Sequence, residues 1–531
     1  MSWFPGGTKL LISGPAGAGV TGIWTLATIG GEIRKIQDNI GQAALSPDGS
    51  RIVFEREQKL WQMGPNAENP VPLVEAPTNP QFAGHEGYSN WGHAGYLNCW
   101  ALSWSSDGHW LTYLRRTSKT DPIVLEARLP EDGRTQTIFS DPDLRGYVWL
   151  SPTKIVLDRW EAPDKPFSNL WQIDVDRKNM KTVGKPRRLT NWAGFSIESM
   201  SASRDGKLLA LTRETDQSNV YVGELADHGS SLSRLHRVSP EDRVEWPGGW
   251  SGDSKALLFQ SDRTGHMNIF RQRIDSNDQA FSATNPEPVV MDQNDNRAPV
   301  LSPDKQWVIY FAWPRFAAQV NTASLMRRPV TGGTPELILE AKGLPGSAQT
   351  SYRVVMPTMT GQPAFRCCPS QPGPSCVLSE AGPHEVVFYS FAPLPAASKS
   401  EVFRIQESDP NALTWDLSPD GSQIAYAEYT WRSASIHIRD LRTNTNREIP
   451  LQGMTELSTL SWSANGKSFF ATRFSVTGSS LFHVTLDGKY RVLYKGAKEV
   501  EGARPSPDGH YLAFGDVVSA SNVWLVEGFP K

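Results

Sequence analysis

No stretch of the 531 residues approaches the roughly 18 to 20 uninterrupted apolar residues that a membrane helix needs. The nearest, around 386–397, is broken by Ser390 and two prolines, so no membrane span is expected. The start, Met1-Ser2-Trp3-Phe4-Pro5-Gly6-Gly7, has no basic segment leading into an apolar one; export would require sequence beyond the chain as given. Charge of one sign is lacking too. With 53 basic against 56 acidic residues the net charge is −3, which excludes a polyelectrolyte tail, and 19 Trp among 10% aromatics exclude wholesale disorder. The four cysteines show no paired CxxC spacing, so a structural zinc site is not expected.

Catalytic signatures are also scarce. HExxH is absent, and Gly249-Trp250-Ser251-Gly252 does not make a nucleophile elbow because its serine is out of register. Gly14-Pro15-Ala16-Gly17-Ala18-Gly19-Val20-Thr21 has the glycines of a phosphate loop, but Val20 stands where a lysine must reach the phosphates and no helix follows. A glycine-rich hairpin is the expectation there. The segment from Gly84-His85-Glu86 to His93 holds two His and a Glu, but reads as a glycine-rich loop, not a metal site on one rigid face.

What is abundant is one repeat. Leu45-Ser46-Pro47-Asp48-Gly49 is followed by Ile52 and Phe54, Trp104-Ser105-Ser106-Asp107-Gly108 by Leu111 and Tyr113, and Leu417-Ser418-Pro419-Asp420-Gly421 by Ile424 and Tyr426. Further copies centre on Asp205, Asp253, Asp304, Asn465 and Asp508. Ser-Pro-Asp-Gly suits a type I turn, and apolar residues four and six positions after the Asp keep the period of a strand. A second strand follows, as at Ile23-Trp24 or Ile269-Phe270, and then a third such as Arg187-Arg188-Leu189-Thr190. Degraded copies lie at Ser151-Pro152-Thr153 and around Ser375-Cys376-Val377, and Phe4-Pro5-Gly6-Gly7 makes an initial one.

Units of four short strands spaced near the 40 to 50 residues of a propeller blade predict an all-β chain of two tandem β-propellers, built from about eleven recognisable four-stranded blades. The expected division is an N-terminal propeller over 1–240, possessing five blades, and a C-terminal propeller over 241–531. The last blade should lack an outer strand, and counting back six anchors to Asp253 makes 234–238 its donor. Seven anchors would implicate 187–190. The N-terminal part begins inside a first strand, which suggests upstream sequence or a late start at Met1.

The Ser-Pro-Asp-Gly turn, the Ser261-Asp262-Arg263-Thr264-Gly265 hairpin and the Arg188-Leu189-Thr190 strand resemble the TolB-type WD40-like (PD40) propeller repeat over nearly the whole chain. Arg187 to Phe195, Phe365-Arg366-Cys367 with Cys376-Val377-Leu378, and Ser521-Asn522-Val523-Trp524-Leu525 resemble one subgroup. That subgroup is the C-terminal tandem propeller region of large bacterial Ser/Thr kinase or winged-helix signalling proteins. The resemblance implies a covalent effector domain upstream of Met1 and leaves the compartment open, periplasmic or otherwise extracytoplasmic if the chain is part of a longer membrane-anchored protein. Kinase and DNA-binding activities are not carried over: there is no Gly-rich loop with a strand lysine, no His-Arg-Asp or Asp-Phe-Gly, and no helix-turn-helix pattern. Cys367 and Cys376 flank a Pro-rich turn on expected adjacent strands, and the subgroup has a Cys at each place. They are therefore either a disulfide, which needs an oxidising compartment, or idle thiols.

The repeated Asp residues are read as turn caps, and Trp104, Trp250 and Trp462 as wedges between blades. What remains for function is the set of residues entering the innermost strands: Glu198, Trp246, Arg297, Trp415 and Arg504. This mixed aromatic and charged set suits contact more than acid-base or metal chemistry. The expectation is a non-catalytic recognition or scaffold module that binds a protein, peptide or glycan through the propeller funnel, with no cofactor and no nucleic-acid partner. The alternative is a propeller hydrolase or lyase with its site in the same funnel.

Overall fold

In the computed structural model, the serine of each repeat explains why a strand turns where it does. Ser46 Oγ donates to Asp48 Oδ1 (2.5 Å) and accepts the backbone N–H of Arg51 (2.9 Å), while the Ser46 N–H bonds the Arg51 carbonyl (2.8 Å). The same circuit recurs at Ser105, Ser203, Ser251, Ser302, Ser418, Ser463 and Ser506. The fourth turn residue needs a positive φ, which Gly49 supplies at 75°; Ser254 and Lys305 take the same conformation, both at 61°, without being glycine. Each turn joins an innermost strand to the next one out.

The described residues are all but 1, 16–20, 39, 41, 57–58, 76–98, 117–120, 162–166, 193–194, 204, 239–242, 275–284, 315–321, 344–362, 369–375, 407–412, 431–432, 476–477, 497–498 and 529–531. Nearly all the regular structure is antiparallel strand, and the one helical element among them is a 3₁₀ turn at Asp227–Gly229. Among the described residues, no helix is long and apolar enough to cross a membrane. Lys9–Pro15 and Thr21–Ala27 pair in register up to Pro15 opposite Thr21, so the glycine-rich segment joins two strands of a hairpin. The His85 to His93 segment lies outside the described residues.

Among the described residues the strands form ten sheets, nine of them four-stranded, and the tenth is shared by two blades. The chain divides into two compact units, one of Met1–Thr215 with Ser521–Lys531, the other of Asp216–Ala520. The first has five blades, whose innermost strands are Ser2–Trp3, Ala43–Leu45, Cys99–Trp104, Leu144–Ser151 and Ser196–Ala202; we number them I to V. The second has six, numbered VI to XI, with innermost strands Glu245–Trp250, Asp295–Leu301, Ala364–Cys367, Leu413–Leu417, Leu457–Trp462 and Glu499–Pro505.

The expected division at 240/241 is displaced because two strands run on without a turn. Leu208–Ala226 and Tyr511–Glu527 are each continuous through the boundary between units. Blade XI is built from Glu499–Pro505, the first part of Tyr511–Glu527, the second part of Leu208–Ala226, and Ser231–Arg237 on the outside. The outer strand is thus the expected donor, but a second strand is donated with it. Val523-Trp524, within the Ser521 to Leu525 motif, lies in the five-blade unit, where Trp524 meets Trp192 and Phe195.

Both units bury their cores between blades. In the six-blade unit each neighbouring pair shares one apolar cluster, including the pair XI and VI, where Val220, Val222 and Ala513 pack on Trp250, Leu257 and Phe259. The ring is therefore closed. In the five-blade unit clusters join I to II, II to III, III to IV and IV to V, and among the described residues none joins V to I.

Candidate functional site

The tryptophans before the turns act as wedges. Trp104 Nε1 donates to the Ala44 carbonyl (3.3 Å), Trp149 Nε1 to Thr112 Oγ1 (3.2 Å) and Trp250 Nε1 to the Arg504 carbonyl (2.9 Å), each reaching the preceding blade. The turn carboxylates are equally absorbed. Bonds from Ser46 and Ser50 hold the Asp48 carboxyl down to about 2. These groups serve the fold and leave the innermost strands as the place to look for chemistry.

The five residues expected there do not converge. Glu198 is exposed on blade V, in the other unit from the remaining four. Its charge bears on Asp158, a buried acid of blade IV with one oxygen unpartnered, whose pKa is pushed up to about 7 by burial, with the Arg145 charge opposing. Trp246 is half-buried near the start of its strand and covers Gly515, where an added Cβ would come within 2.8 Å of the indole. Arg297 pairs with Asp295 (3.3 Å) two residues earlier in the same strand.

Trp415 requires a correction. It is 2% exposed, packs edge-on against Phe388 with ring centroids 5.1 Å apart, and donates to Ser379 Oγ of blade VIII (2.9 Å). It is another inter-blade wedge: strand alternation places it one residue before Asp416, and the two side chains point to opposite faces.

Arg504 is joined by residues the sequence reading did not select as site residues. Its Nη1 donates to Ser461 Oγ (3.1 Å) on blade X and to the Ala503 carbonyl (3.2 Å). Arg366 on blade VIII donates through Nε to Asp416 Oδ1 on blade IX (2.8 Å), and Asp416 Oδ2 accepts the Trp462 N–H of blade X (2.8 Å). The Trp250 indole bond to the Arg504 carbonyl extends this polar belt to blade VI, so it links five of the six innermost strands. Between VI and VII the innermost strands approach closely, a Cβ on Gly249 lying 3.0 Å from Val300 Cα, and the Ala298 N–H of blade VII donates to Gln260 Oε1 of blade VI (2.7 Å).

The belt carries two guanidinium groups and one carboxylate. Burial, together with the neighbouring Arg366 charge, lowers the Arg504 pKa to about 10 against the opposing pull of Asp416. Such an environment favours a further negative group. The signals were present in the sequence, since Asp416 follows Trp415 and Arg366 lies in the Phe365-Arg366-Cys367 motif, but nothing in the repeat marked them as neighbours. The next residue, Cys367, is disulfide-bonded to Cys376 across adjacent strands, with Cα atoms 4.1 Å apart.

Acids also gather at the strand entrances of blade XI. Glu501 is buried, and burial with the Glu499 charge pushes its pKa well up; Asp516 accepts the Tyr494 hydroxyl (2.7 Å) and is likewise raised by burial. Among the described residues, no group of three or more His, Cys, Asp and Glu has the arrangement of a metal site.

No family model matches this chain, nor does any curated protein. Solved structures similar to it are β-propeller proteins. The putative TolB from Agrobacterium tumefaciens is 15% identical, covering 60% of this chain and 87% of that one, with a TM-score of 0.22. TolB from Acinetobacter baumannii is 10% identical over 84% and 81%, with a TM-score of 0.20. The β-propeller domain of the Trilobed protease from Pyrococcus furiosus is 14% identical over 62% and 93%, with a TM-score of 0.26. At these values the likeness bears on neither activity nor partners, and the propeller assignment rests on the sheets themselves.

Proposed function

We propose that the chain is a non-catalytic recognition module, and that its six-blade ring binds a protein, peptide or glycan through a carboxylate seated on Arg504. The observation that carries this reading is the charge imbalance of the inner belt, in which Arg366 and Arg504 face one Asp416. Arg366 is already committed to that carboxylate, whereas among the described residues Arg504 is held by a neutral hydroxyl and a carbonyl. A guanidinium fixed in this way is suited to take a planar carboxylate with little loss of side-chain freedom. Trp246 and Arg297, on the innermost strands of the next two blades, are the proposed flanking contacts. The Cys367–Cys376 bond supports a setting outside the reducing cytoplasm. The resemblance to tandem propeller regions of signalling proteins supports a sensor role for such binding.

The test is titration of the protein with short Glu-rich peptides and with uronic-acid oligosaccharides, at low and high salt. Arg504→Met keeps the apolar stem and should weaken binding at least about tenfold with an unchanged melting temperature. Binding of both probe classes unaffected by the substitution, or turnover of a peptide, ester or glycan substrate that the substitution abolishes, overturns the reading.

A further inference from the structure

Among the described residues, ten of the eleven blades have four strands and blade V has three. Its strands are Ser196–Ala202, the 208–215 part of Leu208–Ala226 and the 521–527 part of Tyr511–Glu527, and no described strand pairs with the outer edge of 521–527. In blade IV the corresponding fourth place is filled by Lys181–Arg188. Register shows which of its residues look towards the vacant place. Leu170 packs in the core shared with blade V, and residues two apart share a side, so Gln172, Asp174 and Asp176 lie on that side with it. Arg187, Val183 and Lys181 stand directly opposite these three and share the side too. All three are exposed, Val183 at 56%. In blade V, Val526 packs against the same core, and Trp524, two residues before it, meets Trp192 and Phe195. Val523 and Leu525 therefore point the other way, 77% and 60% exposed.

We infer that the vacant place takes an extended segment of another protein, added as a fourth strand along 521–527, with acid, apolar and acid at alternate positions on its blade IV side. The backbone edge selects a strand, because an extended chain offers N–H and C=O groups at the matching spacing. The surroundings limit it to a single strand. Antiparallel pairing of two copies through this edge relates them by an axis normal to the sheet, which puts both blade IV outer strands on the same side of it. Blade IV reaches one strand further out than blade V, so those two strands would overlap. The charges select the side chains. Neither Lys181 nor Arg187 forms an ion pair among the described residues; Arg187 donates to Gln172 Oε1 (3.1 Å). The acids of that side lie one strand further in, where Asp174 accepts from Gln172 (3.3 Å) and Asp176 from Asn179 (2.8 Å). Because the strand bulges after Val183, Lys181, Val183 and Arg187 stand opposite every second residue of the third strand. Acids at alternate positions would thus meet the two cations while the apolar residue between them covers Val183 and Trp524. Apolar residues at the intervening positions would lie beside Val523 and Leu525.

The probe is the end-blocked peptide Thr-Glu-Val-Ile-Val-Glu-Thr, fluorescently labelled and titrated by anisotropy into the full chain carrying Arg504→Met, so that the funnel does not take up its carboxylates. Binding is expected, and should weaken with salt. Lys181→Glu with Arg187→Glu should lower the affinity at least about tenfold and create binding of the analogue with Lys in place of both Glu. Lys181→Glu alone, expected to cost about threefold, serves should the double substitution fail to fold. A strand added at an edge turns the N–H groups of every second residue towards its neighbour. N-methylation of the odd-numbered peptide residues and of the even-numbered ones should therefore differ, one set abolishing binding and the other leaving it. No binding at about 1 mM, indifference to the charge reversal, or tolerance of both N-methylated sets overturns the inference. So does a chain that doubles its mass with concentration through this edge, with the doubling lost in Val523→Lys.

Discussion

The two units are made from the same repeat, yet one has six blades with six shared cores and the other five blades with four. Every blade has two faces, and only closure gives both a neighbour. In the six-blade unit closure falls to blade XI, where 499–520 and 216–237 come from opposite ends of the unit's sequence. In the five-blade unit the residues 521–527 are spent on blade V, and the outward faces of blades I and V stay without a core among the described residues. Ring closure is therefore a property of strand exchange and not of the repeat.

The largest expected effect separates a closed seam from an open face. Trp415→Ala should cost the six-blade unit about 3 to 5 kcal/mol, since it empties the seam between blades VIII and IX and leaves Ser379 Oγ without its donor. Scanning calorimetry should show one transition lowered and a second, from the five-blade unit, unmoved. Equal shifts in both would break the comparison.

Next in size is a change confined to the other unit. Asp158 is an acid whose folded pKa, about 7, lies above its ordinary 3.8, so the folded state holds the proton more tightly and stability falls as pH rises from about 4 to about 7. Asp158→Asn should remove this dependence and stabilise the five-blade unit at pH 8, on the order of 3 kcal/mol, with little gain at pH 4. A pH-independent difference between the two proteins counts against it.

Smaller again is loss of a turn circuit. Ser506→Ala removes a bond to Asp508 and an acceptor for the Tyr511 N–H, and should cost about 1 to 2 kcal/mol in urea unfolding of the six-blade unit. The turn acids add an acid limb common to both units. With the Asp48 carboxyl at about 2 when folded, its contribution is present above its ordinary 3.8 and lost as pH falls through about 2. Asp48→Ala should flatten that limb. The smallest effect is Ile33→Ala on blade I, where the side chain is 65% exposed, within about 0.5 kcal/mol by urea unfolding.

Much of this was legible in the residues. The Ser-x-Asp-Gly turns and the alternation after them are local, so the blades, the caps and the wedge role of Trp104 and Trp250 follow from neighbours in sequence. The site was less legible. Trp415 and Asp416 are adjacent, and the register decides that one is core and the other meets Arg366, fifty positions away. Arg504 was singled out as a residue entering an innermost strand, but Ser461, which it bonds, and Arg366, whose charge bears on it, become its neighbours only when blades VIII to XI curve around a common axis.

By itself the sequence determined an all-β chain of about eleven four-stranded blades in two groups, because turn chemistry and strand period act within a few residues. The tertiary structure decided where the groups divide, which ring closes and which charges meet. Leu208–Ala226 and Tyr511–Glu527 contain no turn at the boundary, so their pairing across three hundred residues is fixed by the match of distant edges and faces, which no local pattern encodes.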